Sequence, residues 1–202
     1  MDIDLLMTLA DRIGVFVFAL SGGIAAVRKE MDLFGVIVLA FLPAVGGGTL
    51  RDIILDAPVF WLTDTISLWL ATAGGVFAFF FYKFIEEFKP LRWADAVGLA
   101  LFAMTGAQKA AELGHNFVII LIMGVMAASA GGLIRDVVAN RDPLLLKEDI
   151  YATAALLGAL IYATLWFLGV ESWIAFAAGF AAAFVLRALA IIFKLKAPKA
   201  RL

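Results

Sequence analysis

Two Arg-Asp pairs, Arg51-Asp52 and Arg135-Asp136, each close a long run without charged residues. Charges that near hydrocarbon are costly, and they face a bundle interior or water. Their chemistry is electrostatic: a fixed guanidinium beside a path opposes cations until a carboxylate neutralises it. Helix neighbours point about 100° apart, so each arginine is expected to meet a carbonyl or carboxylate of the first, fourth or seventh apolar run rather than the adjacent aspartate. Asp11 and Asp95, in neighbouring apolar segments, are the candidates. An Arg51–Asp136 contact is not expected, because antiparallel spans put those ends on opposite sides. The bland alternative is an interfacial arginine that snorkels to the head groups.

Each pair follows a small-residue segment: Pro43-Ala44-Val45-Gly46-Gly47-Gly48-Thr49-Leu50 before Arg51, and Ala127-Ala128-Ser129-Ala130-Gly131-Gly132-Leu133-Ile134 before Arg135. Glycine weakens a helix by about 1 kcal/mol relative to alanine, and an internal proline removes a donor. These segments predict helices bent or broken near mid-membrane, around Gly46–Gly48 and around Gly131–Gly132 with Ser129 beside them. Freed carbonyls there can hold a transient K+ or Na+. The competing reading is close helix packing through small residues. Ser21, Thr49, Thr105 and Gln108 are further polar candidates for a path, Lys109 a charged one, and His115 a solvated loop residue. No nucleophile–base arrangement, phosphate loop or metal-ligand spacing occurs, so we expect no catalytic residue, enzyme activity, resident metal or cofactor. Nor is a nucleic-acid partner expected.

These residues are positioned by a duplication. Residues 11–52 and 95–136 align without a gap at an offset of 84. Of the 202 residues, 64% are hydrophobic and 16% charged, and mean hydropathy is +1.03. Soluble domains are nearer half apolar and a quarter charged. The fold expectation is an all-α membrane protein of seven transmembrane helices, because backbone groups in lipid must be satisfied internally. The runs are Ile13–Val27 (with Leu5–Ala10 before it), Leu33–Leu50, Thr65–Tyr82, Ala96–Gln108, Asn116–Ile134, Ile150–Val170 and Ser172 to Phe193. Three-span repeats over 5–87 and 92–169 are inverted relative to one another, and a packing helix over 172–194 completes the single domain. Lys and Arg collect on one side, in the loops holding Arg28, Lys29, Lys83, Lys89, Arg92, Arg141 and Lys147 and in the tail from Lys194 to Arg201. Arg12, Lys109 and the span-end Arg51 fall on the other. The positive-inside rule then puts the N-terminus outside and the C-terminus in the cytoplasm of a multi-pass inner-membrane protein. Asp2 and Asp4 argue against a cleaved signal. Trp61, Trp69, Trp93, Trp166 and Trp173 read as interfacial anchors, and the basic tail as a flank touching membrane lipids.

Ala19-Leu20-Ser21-Gly22, Met31-Asp32-Leu33-Phe34-Gly35, the Gly46–Asp52 segment and Pro58-Val59-Phe60-Trp61 resemble the bacterial and archaeal branch of the trimeric intracellular cation (TRIC) channel family, also known as UPF0126 or the glycine-transporter repeat domain. The resemblance covers about Leu5 to Phe193. It implies a homotrimer whose protomers each carry a pore for monovalent cations, chiefly potassium, lined by Gly46, Gly47, Gly48, Gly131 and Gly132. Ala130 in place of a third glycine departs from the first copy. The phosphoinositide site of animal members is not implied, since only Arg135 stands near the second glycine segment. The alternatives are a secondary transporter of glycine or another small solute, and a structural membrane protein.

Overall fold

The computed structural model describes residues 3–85, 90–147 and 150–195. Among them the chain is helical without strands: α1 (Ile3–Val27), α2 (Leu33–Ile54), α3 (Phe60–Thr63), α4 (Ile66–Ile85), α5 (Pro90–Glu112), α6 (Phe117–Val138), α7 (Leu144–Lys147), α8 (Ala152–Phe167) and α9 (Ser172–Phe193). Within these helices Met7–Val27, Leu33–Ile54, Ile66–Phe84, Phe117–Val138 and Ser172–Phe193 are long and apolar enough to cross a membrane. Helix α8 is apolar but shorter, and α5 carries Arg92, Asp95, Lys109 and Glu112. Lys89, the side chain of Lys147 and the tail beyond Leu195 lie outside the described residues, as do Asp2 and the side chain of Asp4.

Local chemistry sets the ends of α2 and α6 in the same way. Asp32 and Asn116 cap them, their side-chain oxygens accepting from the N–H groups of Gly35 (2.8 Å) and Ile119 (3.1 Å). An N-cap oxygen satisfies a donor the helix cannot. Past each C-terminus the chain turns through Asp56 (φ 50°) and Asn140 (φ 48°), left-handed positions that these short polar residues tolerate. The turns lead into the one-turn helices α3 and α7, 84 residues apart and absent from the span reading.

Helix α1 packs on α2 and α4, and α5 packs on α6 and α8. The two groups join through α1 against α5 and α2 against α6, and α9 lies on α5 and α8. Small residues decide both joins. Phe18 and Phe102 stack with ring centres 5.3 Å apart, each filling the space beside a glycine of the other helix, Gly98 and Gly14. At the second join, a Cβ on Gly47 would strike the Ala127 carbonyl oxygen, and one on Gly131 would lie 2.5 Å from that of Pro43. With no solvent-driven attraction between helices in lipid, such backbone approach is what holds them.

The anticipated break is not there. Both α2 and α6 run as uninterrupted α-helix through Gly46–Gly48 and Gly131–Gly132. In lipid an unpaired backbone group has no water to turn to, so the helix persists and its glycines are used for contact. Pro43 does free the carbonyl of Leu39, four residues back. That oxygen lies against Gly22 of α1.

Candidate functional site

Helices α2 and α6 run antiparallel through their crossing, so Arg51 and Arg135 sit toward opposite ends of the bundle. Each is four residues, about 6 Å, beyond its crossing glycine. Both side chains are fully buried.

Arg51 donates through Nε to Asp52 Oδ1 (2.7 Å) and through Nη2 to Asp52 Oδ2 (3.3 Å). Its Nη1 reaches Asp11 Oδ1 (3.1 Å) on α1 and Thr105 Oγ1 (3.0 Å) on α5. Asp52 also accepts from the Phe60 N–H (2.8 Å) and from Lys109 Nζ (2.7 Å). The Phe60 ring lies under the guanidinium, 5.5 Å from ring centre to carbon. A Cβ on Gly48 would meet that ring at 2.5 Å, so this glycine makes room for it.

Arg135 repeats the plan. Its Nε and Nη2 donate to Asp136 (2.9 and 3.0 Å), and its Nη1 to Asp95 Oδ1 on α5 (2.7 Å) and Ser21 Oγ on α1 (2.6 Å). The Leu144 N–H caps Asp136 (2.9 Å), as Phe60 caps Asp52. Here the Tyr151 hydroxyl donates to Asp95 Oδ1 (3.2 Å). A Cβ on Gly132 would lie 2.6 Å from that hydroxyl, so this glycine clears the way for it.

Asp11 and Asp95, the candidate carboxylates, thus lie on Arg51 and Arg135. Contrary to expectation, the sequence neighbours also pair: Arg51 and Asp52, and Arg135 and Asp136, form forked ion pairs. The Cβ directions diverge, but the arginine stem is long enough to curl back. Burial makes an unpaired charge far more costly than a bent rotamer.

The remaining candidates have other tasks. Thr49 Oγ1 donates to Val45 O and accepts from Trp61 Nε1 (2.9 Å), which gives this tryptophan a specific partner. Ser129 Oγ donates to Val125 O and borders an apolar groove of about 590 Å³ between α6 and α8. Gln108 bonds Glu112, one turn on. Lys109 engages Asp52, with its side chain 21% exposed. His115 is exposed in the α5–α6 turn. Among the described residues no cluster of three or more His, Cys, Asp and Glu stands ready for a metal ion. The reading from sequence missed Phe60, Tyr151 and Arg187 as parts of the clusters. Arg187 carries a signal of its own: it is the one charge inside α9.

A family described as Glycine transporter matches the chain twice, over residues 8–83 and 92–167. The chain is 39% identical over 199 residues to a UPF0126 membrane protein of Vibrio cholerae, a match covering 96% of this chain and 82% of that one. It is 40% identical over 162 residues to the UPF0126 inner membrane protein YadS of Escherichia coli K12, covering 78% and 77%. Among solved structures it is similar to the TRIC trimeric intracellular cation channel orthologue of Rhodobacter sphaeroides, with TM-score 0.90 and 41% identity over 94% of this chain and 99% of that one.

Proposed function

The chain belongs to the UPF0126 family of multi-pass membrane proteins, and from that premise we propose that it is a potassium-permeable channel with one conducting path in each protomer of a homotrimer. The observation that carries the reading is likeness, over nearly the whole chain, to a protein described as a trimeric cation channel. Two further observations support it. The chain matches the family repeat twice, which suits two inverted three-helix units, α1–α2–α4 and α5–α6–α8, with α9 as a seventh span. The two arginines stand on either side of the α2–α6 crossing, where a path between these helices would have to pass.

In this reading the crossing is the closed point. Gly47 against Ala127 and Gly131 against Pro43 leave no room for an ion, so conduction requires α2 and α6 to part there. Parting exposes the backbone of the two glycine segments, whose carbonyls then face a permeating K+ or Na+ and replace part of its water. Arg51 and Arg135 set the field at the two ends, and Asp11, Asp52, Asp95 and Asp136 determine how much of each positive charge a cation meets. Lys109 adjusts the first end. The N-terminus lies outside and the C-terminus in the cytoplasm. Membrane lipids surround the assembly, and no cofactor takes part.

The test is potassium current from purified protein in planar bilayers, with reversal potentials for Arg51→Gln and Arg135→Gln. We expect unitary potassium currents, and altered conductance or open probability in both variants. Unchanged currents in two well-folded variants would remove the arginines from the mechanism. Saturable glycine uptake into liposomes without potassium current would replace the channel reading with a transporter, as the family's description suggests.

A further inference from the structure

Arg187 is the largest buried side chain that the two clusters leave unused. It sits six residues before the end of α9, only 1% exposed, in a helix outside the duplicated units. A charge buried within a membrane helix is expensive and marks a function by default. Its contacts lead to Arg135. Nη1 of Arg187 donates to the carbonyl of Ile150 (2.8 Å), and its guanidinium lies over the Tyr151 ring, 4.9 Å from the ring centre. Thus it holds the backbone before Tyr151 and the face of the ring together, at the N-terminus of α8. The Tyr151 hydroxyl then shares Asp95 Oδ1 with Arg135. Gly132 is the independent sign that this placement matters, because any side chain there would displace the hydroxyl.

We propose that Arg187 is a positioning residue for the second charge cluster: through Tyr151 it fixes Asp95 on Arg135 and seals that cluster from water. Arg135 and Arg187 are buried with Asp95 and Asp136, as Arg51 and Lys109 are grouped with Asp52 and Asp11. The half-exposed Arg141 near Asp136 carries the outer edge of the second group. Helix α9 is therefore more than a packing helix: through Arg187 it holds Tyr151 against the second cluster.

The inference touches the channel reading only through its consequence for current, so the test has a readout that needs none. The chain has no cysteine, and Ser21, on Arg135, is the reporter. In Ser21→Cys protein, labelling by a water-soluble thiol reagent reports how often the cluster opens. Arg187→Leu and Tyr151→Phe should each speed labelling about tenfold, the scale of one lost buried hydrogen bond. Combining them should add nothing to the faster single change. Arg187→Lys keeps the charge without the planar fork and should fall between wild type and Arg187→Leu. It also serves if Arg187→Leu does not fold. Where wild type conducts, Tyr151→Phe should remove the effect of Arg187→Leu on open probability. Labelling unchanged in a folded Arg187 variant, or rates that multiply in the double variant, would overturn the proposal. Protein that carries no current while labelling behaves as stated would fail the channel reading and leave this one standing.

Discussion

Around Arg51, Asp11 keeps 13% of its side chain exposed and a lysine reaches Asp52 from α5; around Arg135, Asp95 is fully buried beneath Tyr151. The pairing itself is common to both halves, because the duplicated positions supply it: an arginine, the next aspartate, an aspartate forty residues earlier and a hydroxyl from the other half. What closes each pairing comes from positions the halves do not share. Lys109 stands where the first half has Ala25, Tyr151 where it has Ser67, and Arg187 in a helix with no counterpart. One frame has been finished as a partly exposed site and as a fully buried one. The difference lies in side chains near the frame, since α2 and α6 begin and end at matching positions.

The largest effect should fall where the halves are alike. Gly47→Leu and Gly131→Leu each force a side chain against backbone carbonyls that no rotamer change relieves, and each should cost more than about 3 kcal/mol. We expect loss of monodisperse protein in detergent for both. Normal melting of either one would show that the α2–α6 crossing is not held by these glycines.

A smaller effect should separate the halves. Arg135→Gln strands two buried carboxylates and should destabilise by about 3–5 kcal/mol. Arg51→Gln leaves Lys109 on Asp52 and lets water reach Asp11, so about 1–3 kcal/mol is expected. Equal melting shifts in the two variants would erase the distinction between an open and a sealed cluster.

The smallest effect belongs to the first half alone. Arg12 forks onto Asp64 (2.8 and 3.1 Å), whereas the place equivalent to Arg12 holds Ala96. The hydrogen bond from Arg12 holds the Asp64 carboxyl below its usual value. A carboxyl lowered by folding contributes stability that is complete above its unfolded value, about 4, and is lost as pH falls through the folded one. The melting difference between wild type and Arg12→Gln should thus shrink as pH falls from about 6 to about 3. Both side chains are partly exposed, so water screens the pair and the effect is small. A difference that grew toward acid pH would contradict the assignment.

Much of this was legible before any coordinates. The apolar runs point to an all-helical membrane fold, and burial cost makes Asp11 and Asp95 candidates for the arginines. Gly46–Gly48 do not break α2, because in lipid the ladder is kept, and these glycines serve close approach as well. Helices α3 and α7 were hidden because one turn has no period. Their signal was the spacing from Asp52 to Phe60, repeated from Asp136 to Leu144. Tyr151 reaches Asp95 from 56 residues away, and no local pattern reports such a contact. Arg187 stands in the sequence as a lone charge within the last apolar run, with nothing local to name its partners.

The hydroxyls on the arginines have a consequence for how this protein is made. Arg51 takes Thr105 from the second half, and Arg135 takes Ser21 from the first. A ribosome delivers the first half to the bilayer well before Thr105 exists. During that interval Arg51 lacks one of its donors' destinations, and Gly47 has no α6 to rest on. The early product is therefore an incomplete solute of the membrane, held near the translocon or near water until α5 and α6 arrive. Separately expressed halves divided in the α4–α5 loop should each be short-lived, and should persist only when made together.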